Sequence, residues 1–81
     1  MDNQLIETQK LLGEQIKALR ESLGLSQEAF AKRCGWDRTR QSKIEGGKYN
    51  LTLQSFLAIA NAANLTFKIN FKINNQKGEI K

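Results

Sequence analysis

The stretch SQEAFAKRCGWDRTRQSKIE, Ser26–Glu45, decides the fold. Ser26 is placed to cap a helix, because its hydroxyl accepts a hydrogen bond from a backbone N–H that the first turn leaves unpaired. Glu28 adds a negative charge in that turn, where the helix dipole favours it. Ala29, Phe30, Ala31 and Cys34 give the helix an apolar side, and Gly35 ends it. Asp37 repeats the capping signal after a turn built on Gly35 and Trp36. A second short helix is predicted from about Arg38 to Glu45, where Gly46 and Gly47 stop it. Small Ala31 lets the two helices approach, Gly35 permits the tight turn, and the late apolar Ile44 packs the second helix on a core.

Upstream, Leu5, Leu12, Ile16, Leu19 and Leu23 recur at helical spacing and form one face, with Gly24 as the stop. Gly13 weakens this run, and the pattern leaves open whether residues 2–10 belong to the helix. Downstream, residues 48–51 read as a loop, and Thr52 caps another helix whose apolar residues are Leu53, Phe56, Leu57, Ala60 and Ala63. The period then changes. Phe67, Ile69, Phe71 and Ile73 alternate with Lys68, Asn70 and Lys72, which predicts a strand over residues 66–73. Residues 74–81 form a turn back into a short second strand or a loose tail.

The chain has 81 residues and fits a single domain: a helical core over residues 11–65, the strand, and the turn or tail. Thirteen Lys and Arg against eight Asp and Glu give a net charge of +5, which favours a polyanionic partner. The excess is local. Lys32, Arg33, Arg38, Arg40, Lys43 and Lys48 crowd into residues 32–48 against only Asp37 and Glu45, whereas residues 1–31 are acidic on balance. Such a block is either an electrostatic footprint or plain solvated charge. With no His and a single Cys, Cys34, the chain offers neither an internal disulfide nor a zinc-type ligand set, and Cys34 reads as a small buried apolar residue. No metal or cofactor is expected. No apolar run is long enough to span a membrane and no signal-type stretch opens the chain, so a cytoplasmic location is expected. An enzyme is not expected, because no phosphate-cradling glycine loop and no acid–base pair stand out.

Two short helices across a tight turn have the form of a helix-turn-helix, whose first helix crosses the DNA backbone while the second enters the major groove. At this point the sequence resembles a known family, the phage repressor and Cro type of helix-turn-helix regulator, also called the Xre type. The resemblance runs from about Leu12 to Leu65. It rests on Leu12–Arg20, on Leu23-Gly24-Leu25-Ser26-Gln27-Glu28-Ala29-Phe30-Ala31, on Ser42-Lys43-Ile44-Glu45-Gly46-Gly47-Lys48, and on Leu53–Ala63 as the closing helix. It implies a mainly α, four- to five-helix, repressor-like domain. The chain departs from the family at four places. Gln41 stands where Ile or Val usually packs inward, Arg40 is larger than usual, Leu51 replaces a frequent Pro, and Trp36 replaces a common small aliphatic. Gln41 is expected to weaken helix packing or to put a polar group at its edge.

On a helical wheel from Arg38, Ser42 lies at about 40°, Thr39 at about 100° and Lys43 at about 140°, whereas Ile44 at about 240° and Gln41 at about 300° point the other way. Arg38, Thr39, Ser42 and Lys43 therefore share one polar face, which agrees with the reading face that the resemblance implies. Arg38 suits guanine O6 and N7, Lys43 less strictly so, and Thr39 a thymine methyl or base edge. Arg40 falls on the flank and is expected to meet phosphate. Gln27 opens its helix, where outward N–H groups accept a phosphate. The resemblance implies that Gln27 also touches the DNA backbone and steadies the recognition helix, and that Lys48 and Asn50 touch phosphate. Glu45 is expected to pair with a nearby base and to leave DNA alone. A plain solvated face is the alternative for each of these residues.

Regulators of this form often read two half-sites as dimers. Phe67, Ile69, Phe71 and Ile73 are the expected dimerisation residues, through strands paired edge to edge across a two-fold axis. An intrachain hairpin with residues 79–81 is the alternative. The expected function is a sequence-specific, DNA-binding transcriptional regulator, a homodimeric repressor on an inverted-repeat operator in double-stranded DNA. A helical module followed by a strand also resembles antitoxins of toxin–antitoxin operons, which makes a toxin protein the alternative partner.

Overall fold

The computed structural model describes residues 2–70. Four helices follow one another: α1 (Asn3–Ser22), α2 (Gln27–Cys34), α3 (Arg38–Glu45) and α4 (Leu53–Ala62). Each begins at a residue that caps it. Ser26 accepts from the Ala29 amide at 3.1 Å, Asp37 from Arg40 at 2.9 Å and Thr52 from Ser55 at 3.1 Å. Asp2 does the same for α1, accepting from Gln4 at 3.1 Å. Gly35 closes α2 at a φ of 91°, a left-handed conformation that a side chain would strain. Its amide and that of Trp36 both donate to the Ala31 carbonyl, which fixes the tight turn into α3.

Helices α2 and α3 pack on each other, α1 packs on α3, and α4 packs on α2. Ile16, Phe30, Ile44, Ile59 and Ala62 form the buried centre, with Leu19, Leu25, Cys34, Trp36, Tyr49 and Leu51 partly covered around it. Each of the four helices gives that centre at least one residue, so α3 is held against the other three by Ile44 from below.

Helix α1 answers the question left by its N-terminal pattern: it is continuous from Asn3 through Gly13. Gly13 is where α1 receives the end of α3. A β-carbon there would lie 2.5 Å from the Ile44 carbonyl oxygen and 2.7 Å from that of Glu45. The residue that weakens α1 as an isolated helix is the one that lets α3 dock.

The apolar residues of α4 spread over two arcs, and α2 covers only one. Ser55, Ile59, Ala60, Ala62 and Ala63 are buried, while Leu53 is 61% and Leu57 48% exposed. One expectation is corrected, the C-terminal strand: among the described residues the fold is all-helical, with no strand. Alternation gives a segment two faces, but a strand also needs a neighbouring edge for its backbone. None is present for residues 66–70. Phe67 instead lays its ring on Phe56 of α4, with centroids 5.3 Å apart and planes within 10° of parallel. Phe71, Ile73 and the segment 74–81 lie outside the described residues.

Gly13→Ala weighs helix propensity, worth about 1 kcal/mol in favour of Ala, against a forced separation of α1 from α3, which costs about 1–3 kcal/mol. The obstruction is backbone and cannot swing aside, so the expected outcome is a lower midpoint in urea or thermal unfolding. A raised midpoint would mean that α1 and α3 separate freely.

Candidate nucleic-acid interface

Helix α3 presents two opposed faces. Arg38, Thr39, Ser42 and Lys43 are exposed, whereas Gln41 and Ile44 are 0% and 1% exposed. The wheel derived from the sequence therefore holds for all six residues. Lys48 and Asn50 are exposed in the loop between α3 and α4, beside this polar face in sequence. Gln27 opens α2, half-buried.

The polar face is oriented by a charged cluster behind it. The Glu45 carboxylate, 4% exposed, accepts from four donors. Arg20 of α1 donates Nε to Oε2 at 2.6 Å and Nη2 to Oε1 at 3.0 Å, the bidentate geometry that suits guanidinium to carboxylate. Gln27 of α2 donates Nε2 to Oε1 at 3.1 Å. Gln41, one turn earlier on α3, donates Nε2 to Oε2 at 2.8 Å. Arg20 also donates Nη1 to the Leu25 carbonyl at 2.7 Å, so both ends of its guanidinium are occupied. Burial pushes the Glu45 carboxyl up, but the hydrogen bonds from Arg20, Gln41 and Gln27 and the charge of Arg20 outweigh it, and its pKa lies below the ordinary 4.5. Glu45 is thus paired with a base, as expected, and Gln27 does steady α3.

Gln41 departs from expectation. It neither loosens the packing nor sits at an edge. Its Oε1 accepts the Trp36 indole N–H at 2.8 Å while its Nε2 reaches Glu45. An indole N–H only donates and a carboxylate only accepts, so these partners fix the orientation of the amide. Trp36 and Gln41, read from the sequence as separate departures, form one unit.

Arg40 keeps its flank position on α3 but is packed there. It is half-buried, its guanidinium carbon 4.3 Å from the Trp36 ring centroid and 4.8 Å from that of Tyr49. Its Nη2 donates to the buried Ser55 hydroxyl at 3.3 Å. Cys34 lines a pocket beside it together with Trp36, Thr52 and Ser55. Burial pushes the Cys34 thiol up to about 11 despite the nearby Arg40 charge, so the thiol stays protonated and inert.

Sequence reasoning missed Arg20 as a buried residue and Arg40 as a packed one. For Arg20 no local signal exists. For the Trp36–Gln41 unit one did: a half-buried indole needs an acceptor, and Gln41 at an inward position is the nearest. Of the expected dimerisation residues, Phe67 packs on Phe56, Ile69 is exposed, and Phe71 and Ile73 are outside the described residues.

A family described as a helix-turn-helix domain matches residues 11–66. The chain belongs to this helix-turn-helix family. It is a DNA-binding transcriptional regulator. It is similar to control protein C.MunI from Mycoplasma sp., 42% identical over 55 residues that span 67% of this chain and 74% of that one. Its fold matches the restriction-modification controller protein C.AhdI from Aeromonas hydrophila with a TM-score of 0.73 and 31% identity, over 75% of this chain and 88% of that one. An HTH_3 family transcriptional regulator from Vibrio cholerae matches with a TM-score of 0.72 and 27% identity, over 76% of this chain but 35% of that one. These relatives favour a regulator over the antitoxin alternative. No helix among the described residues is long and apolar enough to cross a membrane.

Because the folded pKa of Glu45 is depressed, its contribution to stability is fully present above 4.5 and is lost as pH falls through the lower folded value. The parent is expected to show an acid limb in unfolding free energy below that point, and Glu45→Gln a flatter one. Glu45→Gln should also lower stability at neutral pH by about 3–5 kcal/mol, because it strands buried Arg20. Urea titrations at several pH values check both.

Proposed function

We propose that this regulator is a homodimeric repressor that reads an inverted-repeat operator, with α3 in the major groove of each half-site. One observation carries the reading: Arg38, Thr39, Ser42 and Lys43 are all exposed on the face of α3 opposite a buried Gln41 and Ile44, and Glu45 pins that helix to two others. Arg38 would donate two bonds to guanine O6 and N7, Thr39 would meet a thymine methyl, and Ser42 and Lys43 would reach neighbouring base edges. Lys48 and Asn50 would hold phosphates beside the groove. Gln27 would add a third phosphate contact from the start of α2, using the second N–H of the amide that binds Glu45.

An eight-residue reading helix touches few base pairs, and a second copy doubles the site. The outer arc of α4 supports that partner. Leu53 and Leu57 of α4 and Leu65 and Ile69 of the segment after it are exposed apolar residues, which a second copy would cover across a two-fold axis. The two α3 helices would then address half-sites about 34–36 Å apart. By analogy with the restriction-modification controller among its structural neighbours, the regulated genes would be a restriction-modification gene pair.

Selection of bound duplexes from a random DNA pool tests the reading. An enriched inverted repeat, matched in the promoter of such a gene pair, supports it; recovery of no preferred sequence overturns it. On the selected duplex, Arg38→Ala should cost about 1–3 kcal/mol and relax preference at one base pair per half-site. Lys48→Ala should weaken binding to every sequence and reduce the slope of log affinity against log salt by about one for each copy bound. Leu57→Glu should leave the fold intact and give a monomer by sedimentation, with binding to a single half-site only. A dimer that persisted would place the interface elsewhere.

A further inference from the structure

We infer that Arg40, although it belongs to the basic block of the reading helix, is a positioning residue that sets the pose of α3 and makes no phosphate contact. The inference rests on the proposed placement of α3 in the major groove.

The guanidinium of Arg40 lies against two aromatic rings and is hydrogen-bonded at one end. Trp36 from the turn before α3 and Tyr49 from the loop after it take the two ring contacts, at 4.3 and 4.8 Å. Ser55 of α4, 2% exposed, takes Nη2, and Ser55 is itself fixed by the Thr52 cap, whose hydroxyl lies 3.0 Å away. The Arg40 Nε is turned into the protein, out of contact with solvent. Carrying Nη2 to a phosphate would give up Ser55, and swinging the whole guanidinium outward would also give up both rings.

The contacts of Arg40 are also continuous with those of Glu45. Trp36, which stacks under Arg40, donates its indole N–H to Gln41, and Gln41 donates to Glu45. The start of α3 is thereby braced against α4 through Arg40, and its end against α1 and α2 through Glu45. Removing Arg40 frees one end of the reading helix while leaving the other pinned, so its angle in the groove becomes variable for every DNA sequence.

Phosphate contact and positioning leave different marks. Removing a phosphate ligand lowers the slope of log affinity against log salt by about one. Removing a brace lowers affinity with the slope unchanged. Lysine separates them further, because it retains the charge but lacks the planar group that stacks on aromatic rings. On the selected duplex, Arg40→Lys and Arg40→Met should each bind about 10-fold more weakly, the order expected for one partly desolvated cation–π contact, with the parental salt slope. Trp36 is the only tryptophan, so its emission reads the contact directly in free protein and should shift in both variants. Parental affinity and emission in Arg40→Lys, or a slope reduced by about one for each copy bound in Arg40→Met, would overturn the inference. Should Arg40→Met fail to fold, Arg40→Lys decides alone. Arg38→Ala in the same assay tells the two readings apart: if it leaves base preference untouched, the placement of α3 is wrong, whatever Arg40 does.

Discussion

The pose of the reading helix depends on one carboxylate. Glu45 lies in the last turn of α3, where the helix dipole is unfavourable to a negative charge, and its side chain is almost wholly buried. Neither condition is tolerable for a lone charge. Both are met here because two donors of Arg20 and one each of Gln27 and Gln41 converge on its two oxygens. Convergence from α1, α2 and α3 means the carboxylate is satisfied in one arrangement of three helices only. A five-residue hydrophobic centre supplies attraction but little direction. The charged cluster supplies direction.

This division explains the construction of α3. Eight residues must expose a reading face, bury an anchor and end at a fixed place. Ile44 gives the anchor and docks against α1 where Gly13 removes the obstruction. Glu45 fixes the end. Gln41 at the indole N–H of Trp36 and Arg40 over its ring fix the beginning. What is left over, Arg38, Thr39, Ser42 and Lys43, is free of structural duty and can be varied without disturbing the scaffold. The residues with a structural task and those facing solvent hardly overlap, which is how one fold can read many sequences.

The features legible in the sequence are those set by a few neighbouring residues. Ser26, Asp37 and Thr52 announce their helices because a cap bonds within three residues, and Gly35 announces its turn because its conformation is its own. The two faces of α3 follow from helical period alone. The features that escaped depend on distant partners. Gly13 reads as a defect until Ile44 and Glu45 are brought against it. The inward side of α4 is ambiguous because leucines and alanines cover more than half its circumference, and only contact with α2 chooses Ile59 over Leu57. The alternation from Phe67 onward reports two faces of an extended segment, but a strand is a property of a pair, and Phe67 finds Phe56 instead of a ladder. Arg20 and Arg40 look like ordinary surface cations because nothing near them in sequence says that they are enclosed.

The pairing of Trp36 with Gln41 shows why the chain's departures from its family are not independent. An indole N–H can only donate, and when it is turned away from water without an acceptor the cost is that of an unsatisfied polar group, about 1–3 kcal/mol. The same cost falls on a buried glutamine amide that faces aliphatic neighbours. Either residue alone, set among the apolar residues usual at the other position, would therefore destabilise the turn. Together each removes the other's penalty, and the amide NH2, not engaged by Trp36, is left to donate to Glu45, which extends the cluster from the end of α3 to its beginning. Arg40 completes the exchange, since its flat cation covers the indole face that a small aliphatic would not present. Three residues that look like separate irregularities in the sequence are one physical solution, in which a polar brace replaces part of an apolar contact and the proposed reading helix is held at both ends.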